Sequence, residues 1–176
     1  FYLFSSEELG ELFGRLGRPF EPGTIPKNVA YYSERTSSGS TLSRVVDSWV
    51  LARSDRARSM SRFAEALQSD VVDIQQGTAA EGVHLGAMAG TVDLVERVST
   101  GIEMREDFLR INPGLPEELE RLDMRIRYRG HSIDLRITHD TLTVRGRDGT
   151  AAPVTLIVRD EVFEFPSGTT RTFRLK

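Results

Sequence analysis

RLDMRIRYRGHSIDLRITHDTLTV, residues 121–144, decides the fold of this chain. Apolar side chains recur at every second position: Met124, Ile126 and Tyr128, then Ile133, Leu135 and Ile137, then Leu142 and Val144. A period of two puts successive side chains on opposite faces of a strand, the signature of a sheet with one buried and one wet face. Arg129-Gly130 and His139-Asp140 separate the runs as turns. The same alternation continues with Leu156 and Val158, Phe163 and Phe165, and Phe173, divided at Asp148-Gly149, Asp160-Glu161 and Ser167-Gly168. About six to eight short strands at this spacing predict a small antiparallel β-sandwich. His131 and His139 fall at turns and receive no role.

Upstream, the period changes. Ile102 and Met104 still alternate with Glu103 and Arg105, and Asn112-Pro-Gly-Leu-Pro reads as a hard stop and a domain border. Before Ser99 the spacing is helical. Ser5 and Glu8 form a capping box ahead of Leu9, Leu12, Phe13 and Leu16, which predicts a helix over 5–17. A Pro-rich connector leads to a second helix from Ile25–Pro26 to about Arg35, with Tyr31 and Tyr32 read as core by default. A third helix has the stripe Leu42, Val45, Val46, Trp49 and Val50. A fourth, from Ala57 to Ile74, has Met60, Phe63, Ala64, Leu67 and Val71, with Arg53, Arg56, Arg58 and Arg62 as a solvated face. A fifth buries Met88, Val92 and Val95. The expected organisation is α+β, with helices over 1–99 and strands over 100–176.

The chain has 176 residues, 39% apolar and 28% charged, the composition of a water-soluble globular protein. A net charge of −3 gives no basic footprint, so nucleic acid is not an expected partner. No apolar run approaches the roughly 20 residues of a membrane span. The absence of Cys excludes disulfides and thiolate metal sites and fits a reducing, cytoplasmic setting. Three His without suitable spacing make no metal site, and no cofactor is expected. FYLF at residues 1–4 lacks the charged start of a signal peptide and reads as a cut from a longer protein.

Two loops carry the candidate chemistry. QQGTAAEGVHLGAMAG, residues 75–90, holds Glu81 between Gly77 and Gly82 and then enters a helix through Gly86, Ala87, Ala89 and Gly90. Small residues there admit a close neighbour, either another helix or a ligand. Glu81 is a candidate acid/base group, against the alternative of a solvated loop carboxylate. His84 is a candidate substrate contact, or an orienter of Glu81, against an ordinary packing histidine. The second loop, TSSGSTLS at 36–43, has six hydroxyl residues around Gly39 at a helix start. Hydroxyls and free N–H groups there make an anion site, or simply an N-cap, which needs one hydroxyl.

GTAAEGVHLGAMAGTVDLVER, residues 77–97, resembles the signature near the end of the catalytic barrel of glycoside hydrolase family 65, which contains trehalose, maltose and kojibiose phosphorylases and related α-glucoside hydrolases. The resemblance runs over the whole chain. It implies that 1–99 are the last helices of an (α/α)6 catalytic barrel and that 100–176 are the C-terminal β-sandwich. It implies a disaccharide substrate, the rest of the same barrel as a partner, and a homodimer as in many relatives. The family's phosphorylases hold inorganic phosphate in a His-Gly-Ser-Ser-Leu-Ser type loop. The matching positions here run from Ser38 to Ser43, so Gly39, Ser40 and Thr41 become candidate phosphate ligands, with Ser38 where the family has His.

The resemblance also implies inversion at an α-glucosidic bond, with the general acid, a Glu, upstream of these residues. Inversion needs an acid on the leaving oxygen and a nucleophile from the opposite face. A hydrolase activates water with a second carboxylate; a phosphorylase uses phosphate as co-substrate and needs an anion cradle in place of a base. Glu81 present and the cradle His replaced by Ser38 lean the expectation toward hydrolysis of a trehalose-like disaccharide. The alternatives are phosphorolysis to glucose 1-phosphate and, in another class, a non-catalytic structural or dimerisation fragment.

Overall fold

The computed structural model describes residues 4–21, 23–37, 39–52, 54–72, 80 and 82–176. The chain divides into two compact units, Phe1–Leu94 and Val95–Lys176.

The first unit is helical. Helix α1 (Ser6–Arg15) begins with both halves of the capping box: Glu8 N–H donates to Ser5 Oγ at 3.0 Å, and Ser5 N–H donates to the Glu8 carboxylate at 2.7 Å. It ends at Gly17, whose φ of +63° is left-handed. Helix α2 (Thr24–Ser33) tolerates Pro26 because first-turn N–H groups have no intrahelical partner. Leu9, Ile25, Val29 and Leu51 form its small core, with Phe20 packed alongside. Tyr31 and Tyr32 are not core: both are more than half exposed, and the Arg35 guanidinium sits 3.8 Å above the Tyr31 ring.

Helices α3 (Thr41–Leu51) and α4 (Arg56–Gln68) correct the face expected from the apolar stripes. Of the α3 stripe only Val45 is buried; the buried face is Thr41, Val45, Ser48 and Leu51. On α4 it is Ser59 and Ala66, while Leu67 is 47% exposed. The reason is reciprocal hydrogen bonding. Ser48 Oγ donates to the Ser59 carbonyl at 2.9 Å, and Ser59 Oγ donates to the Ser48 carbonyl at 2.7 Å. Small side chains that satisfy each other let two backbones approach, which bulky apolar residues prevent. Arg56 and Arg58 are exposed, as expected of a polar face, and Arg62 pairs with Glu65 at 2.8 Å; Arg53 lies outside the described residues.

Helix α5 (Leu85–Thr100) follows the same rule. Ala87, Thr91 and Leu94 are buried, whereas Val92 is 70% exposed. A Cβ on Gly90 would stand 2.6 Å from Val45 Cγ1, so the small residue at 90 seats α5 against α3. Of the two neighbours that small residues admit, this position has the helix.

The second unit is a two-sheet sandwich. Strands β1 (Glu103–Met104), β2 (Phe108–Ile111), β6 (Val154–Val158) and β7 (Glu161–Phe165) form one sheet in the order β1-β2-β6-β7. Strands β3 (Arg121–Tyr128), β4 (His131–Thr138), β5 (Thr141–Gly146) and β8 (Thr170–Arg174) form the other in the order β3-β4-β5-β8. The pairings are antiparallel except β2 with β6, which run parallel. Asn112–Pro116 is therefore no domain border: it lies inside this unit and joins its two sheets. Arg129 and Gly130 both have positive φ, the two-residue turn that matches strand twist in the β3-β4 hairpin. The alternating residues read from the sequence form the core, with Ile133, Ile137, Leu142, Val144 and Phe165 fully buried. His131, given no role from sequence, is 3% exposed and donates through Nε2 to the Ala152 carbonyl at 2.8 Å.

Candidate active site

The described site residues lie at the ends of helices. Glu81 and Ser38 lie outside the described residues. His84 immediately precedes α5, and its carbonyl accepts from Ala87 and Met88 N–H, starting the helix. Its ring is held by a residue the sequence reading missed. Asp70, just past the end of α4, accepts from His84 Nδ1 at 2.5 Å and from the His84 backbone N–H at 3.1 and 3.2 Å. The two side chains are 11% and 27% exposed respectively.

A carboxylate only accepts, so the proton of this bond belongs to Nδ1. That leaves Nε2 as the ring's second polar atom, outside the bond to Asp70. Asp70 also joins the end of one helix to the start of another across fourteen residues. No local signal marked it: the apolar spacing carries the fourth helix on to Ile74, whereas α4 ends at Gln68 and leaves Asp70 beyond it, where a carboxylate opposes the helix dipole and needs a compensating donor.

The His84 side-chain bond is the largest influence on Asp70 and, with its backbone bond, holds the carboxyl below its ordinary 3.8; burial acts in the opposite direction. A carboxyl whose folded pKa is lowered contributes stability that is present above 3.8 and is lost as pH falls through the folded value. Asp70→Asn is therefore expected to melt below the wild type at pH 7, with the gap closing under acid conditions below 3.8. Thermal unfolding across that range checks this; a gap constant with pH would remove the carboxylate from the interaction.

In the second loop, Ser40 is the N-cap of α3 and its Oγ accepts from Leu42 N–H at 3.2 Å. A hydroxyl that accepts still has its own proton to donate. Thr41 is 5% exposed, and Gly39 is exposed at the turn. Thr36 Oγ1 donates back to the Tyr32 carbonyl at 2.8 Å, so it belongs to the end of α2. Among the described residues no hydrogen bond or ion pair joins Ser40 or Thr41 to the Asp70–His84 pair. Among the described residues no group of three His, Cys, Asp or Glu is placed to hold a metal ion, and no helix is long and apolar enough to cross a membrane.

Residues 4–93 match the glycosyl hydrolase family 65 central catalytic domain, and residues 102–165 match the family 65 C-terminal domain. The chain belongs to glycosyl hydrolase family 65. Within that family it is 46% identical, over 96% of its length, to an uncharacterized glycosyl hydrolase of Mycobacterium tuberculosis strain H37Rv. It is 30% identical, over 99% of its length, to the trehalose 6-phosphate phosphorylase of Lactococcus lactis. The chain spans 13% of the first relative and 22% of the second. A solved structure assigned as a kojibiose phosphorylase from the human microbiome superposes with a TM-score of 0.73 at 18% identity, covering 88% of this chain and 20% of that one. That likeness shows the fold: the α+β, C-terminal part of a family 65 enzyme, the last helices of an (α/α)6 barrel followed by a β-sandwich.

Proposed function

We propose that this chain is the C-terminal part of an inverting family 65 enzyme that hydrolyses an α-linked glucose disaccharide of the trehalose type. Residues 1–99 complete the catalytic barrel and 100–176 form its accessory sandwich; the disaccharide and the rest of the barrel are its partners. The observation that carries the reading is the Asp70–His84 pair at the mouth of α5. It fixes one ring nitrogen and presents the other from the stretch that bears Glu81. In this reading Glu81 is the base that draws a proton from water, and His84 contacts substrate. The general acid lies upstream in the barrel and protonates the leaving oxygen. Acid and base then stand about 6.5–9.5 Å apart, leaving room for the water. No cofactor enters this chemistry, and the absence of Cys supports a cytoplasmic setting.

Hydrolysis is supported by Ser38 at the family's His position. The second reading is phosphorolysis, favoured by the relatives named as trehalose 6-phosphate and kojibiose phosphorylases. There Gly39, Ser40 and Thr41 take inorganic phosphate at the start of α3, and no base is needed. The deciding experiment uses the full-length protein and trehalose, with and without phosphate. Free glucose in both conditions is expected. Glucose 1-phosphate formed only with phosphate would replace hydrolysis by phosphorolysis and reduce Glu81 to a sugar contact.

A further inference from the structure

The outer face of the β3-β4-β5-β8 sheet is strongly basic on an acidic chain. Residues 95–176 hold fourteen Lys and Arg against fourteen Asp and Glu, so this unit is neutral in sum. The charges are segregated. By strand register, Arg136 lies between Asp123 and Thr143, and Asp134 lies between Arg125 and Arg145. Alternation adds Arg121 and Arg127 on β3, Arg147 just after β5, and Arg174 on β8. Seven arginines and two aspartates thus share one face, a surplus of five positive charges that the remaining surface of the unit balances.

The two aspartates organise the arginines. Asp123 takes Arg136 Nε at 2.7 Å and Arg121 Nε at 2.5 Å. Asp134 takes Arg125 Nε at 2.6 Å and Arg147 Nε at 3.1 Å. Arg127, Arg145 and Arg174 have no carboxylate partner among the described residues. A shallow groove of about 600 Å3 runs over this face, with Arg125, Arg136, Thr143 and Arg145 along it beside Asp123 and Asp134. Like charges crowded on a sheet are unfavourable unless something answers them.

We propose that this face docks an extended acidic peptide segment, Asp- or Glu-rich, of a partner protein. Guanidinium forks held in rows match carboxylates bidentately. No aromatic side chain stands on the face, so it offers no platform for stacking bases or sugar rings. Four strands about 4.8 Å apart and six residues of about 3.4 Å each give a face far smaller than the roughly 800 Å2 per partner of a whole-domain interface. One extended segment fills it.

The test titrates the full-length protein into a fluorescent Gly-(Glu)6-Gly peptide and follows anisotropy. Saturable binding is expected, weakening by at least about tenfold between about 50 and about 200 mM salt. Replacing three exposed arginines together (Arg127→Gln, Arg136→Gln, Arg145→Gln) should weaken it about tenfold. Removing the same kind of charge elsewhere, Arg15→Gln with Arg18→Gln, should leave binding unchanged. If circular dichroism shows the triple variant misfolded, Arg145→Gln alone, with a loss of about threefold, takes its place. The proposal is overturned by absence of saturable binding, by equal loss in the two sets of variants, or by tighter binding of labelled duplex DNA or phosphatidylserine vesicles.

Discussion

Gly101→Val is expected to remove on the order of 3–5 kcal/mol from the stability of the sandwich, a large share of the roughly 5–15 kcal/mol that holds an ordinary domain. Gly101 follows α5 with φ of +58°, where a β-branched residue is strained by about 1–2 kcal/mol. Strain is the smaller part. A Cβ at this position would stand 2.2 Å from the Asn112 carbonyl oxygen and 2.8 Å from its carbon, both backbone atoms. Asn112 cannot move aside cheaply. Its N–H donates to the Gly101 carbonyl, the adjacent Ile111 is fully buried, and the Ile111 carbonyl accepts from Arg159 N–H. Nearby, Gly114 N–H donates to Ser99 at 3.0 Å, closing the same corner a second time. Gly17→Val is the control: φ there is +63°, yet no atom stands within 4 Å of its Cβ. Urea unfolding should therefore show a loss several times larger at 101 than at 17. Equal losses would mean that backbone conformation alone is responsible and that the corner yields.

Glu81→Gln in the full-length protein is expected to lower hydrolytic turnover by about 10²–10⁴-fold with little change in folding. The substitution keeps size and hydrogen bonding and removes the basicity. If Glu81 draws the proton from the attacking water, external azide, an anionic nucleophile that needs no base, should restore part of the rate as a glycosyl azide. Turnover within about threefold of the wild type would end its role as base. In that outcome Asp70→Asn becomes the informative variant, because it disturbs His84 without touching position 81.

Much of this was legible in the residues. Ser5 and Glu8 announced a cap, and the change of period after Ser99 announced the sandwich, because both depend on local spacing alone. What resisted reading were choices between faces. The stripes Leu42–Val50 and Met60–Val71 pointed to bulky contacts, whereas Ser48 with Ser59 makes the packing of α3 on α4; Gly90 was read as admitting a close neighbour, and Val45 is that neighbour. Hydrophobicity marks what must leave water, but the closest backbone approach belongs to the smallest side chains. Asn112–Pro116 looked like a border because Pro and Gly end strands without saying which sheet comes next. Asp70 was passed over because its partner is remote in sequence and their pairing is a tertiary fact. For the site itself, the helix starts at 41 and 85 were visible, while the Nδ1 bond that orients His84 was not.

The parallel pairing of β2 with β6 also sets a timetable. Phe108 pairs with Thr155, 47 positions later, while β3, β4 and β5 each find a neighbour across a tight hairpin. On the ribosome, three strands of one sheet can zip as they emerge, whereas β2, paired with the short β1 on one edge, waits with its other edge open until Val154–Val158 has been made. Nascent chains halted before β6 will therefore carry a finished hairpin stack beside an open strand edge. That interval, rather than the mature protein, is when this domain is most exposed to proteases and to pairing with the wrong neighbour.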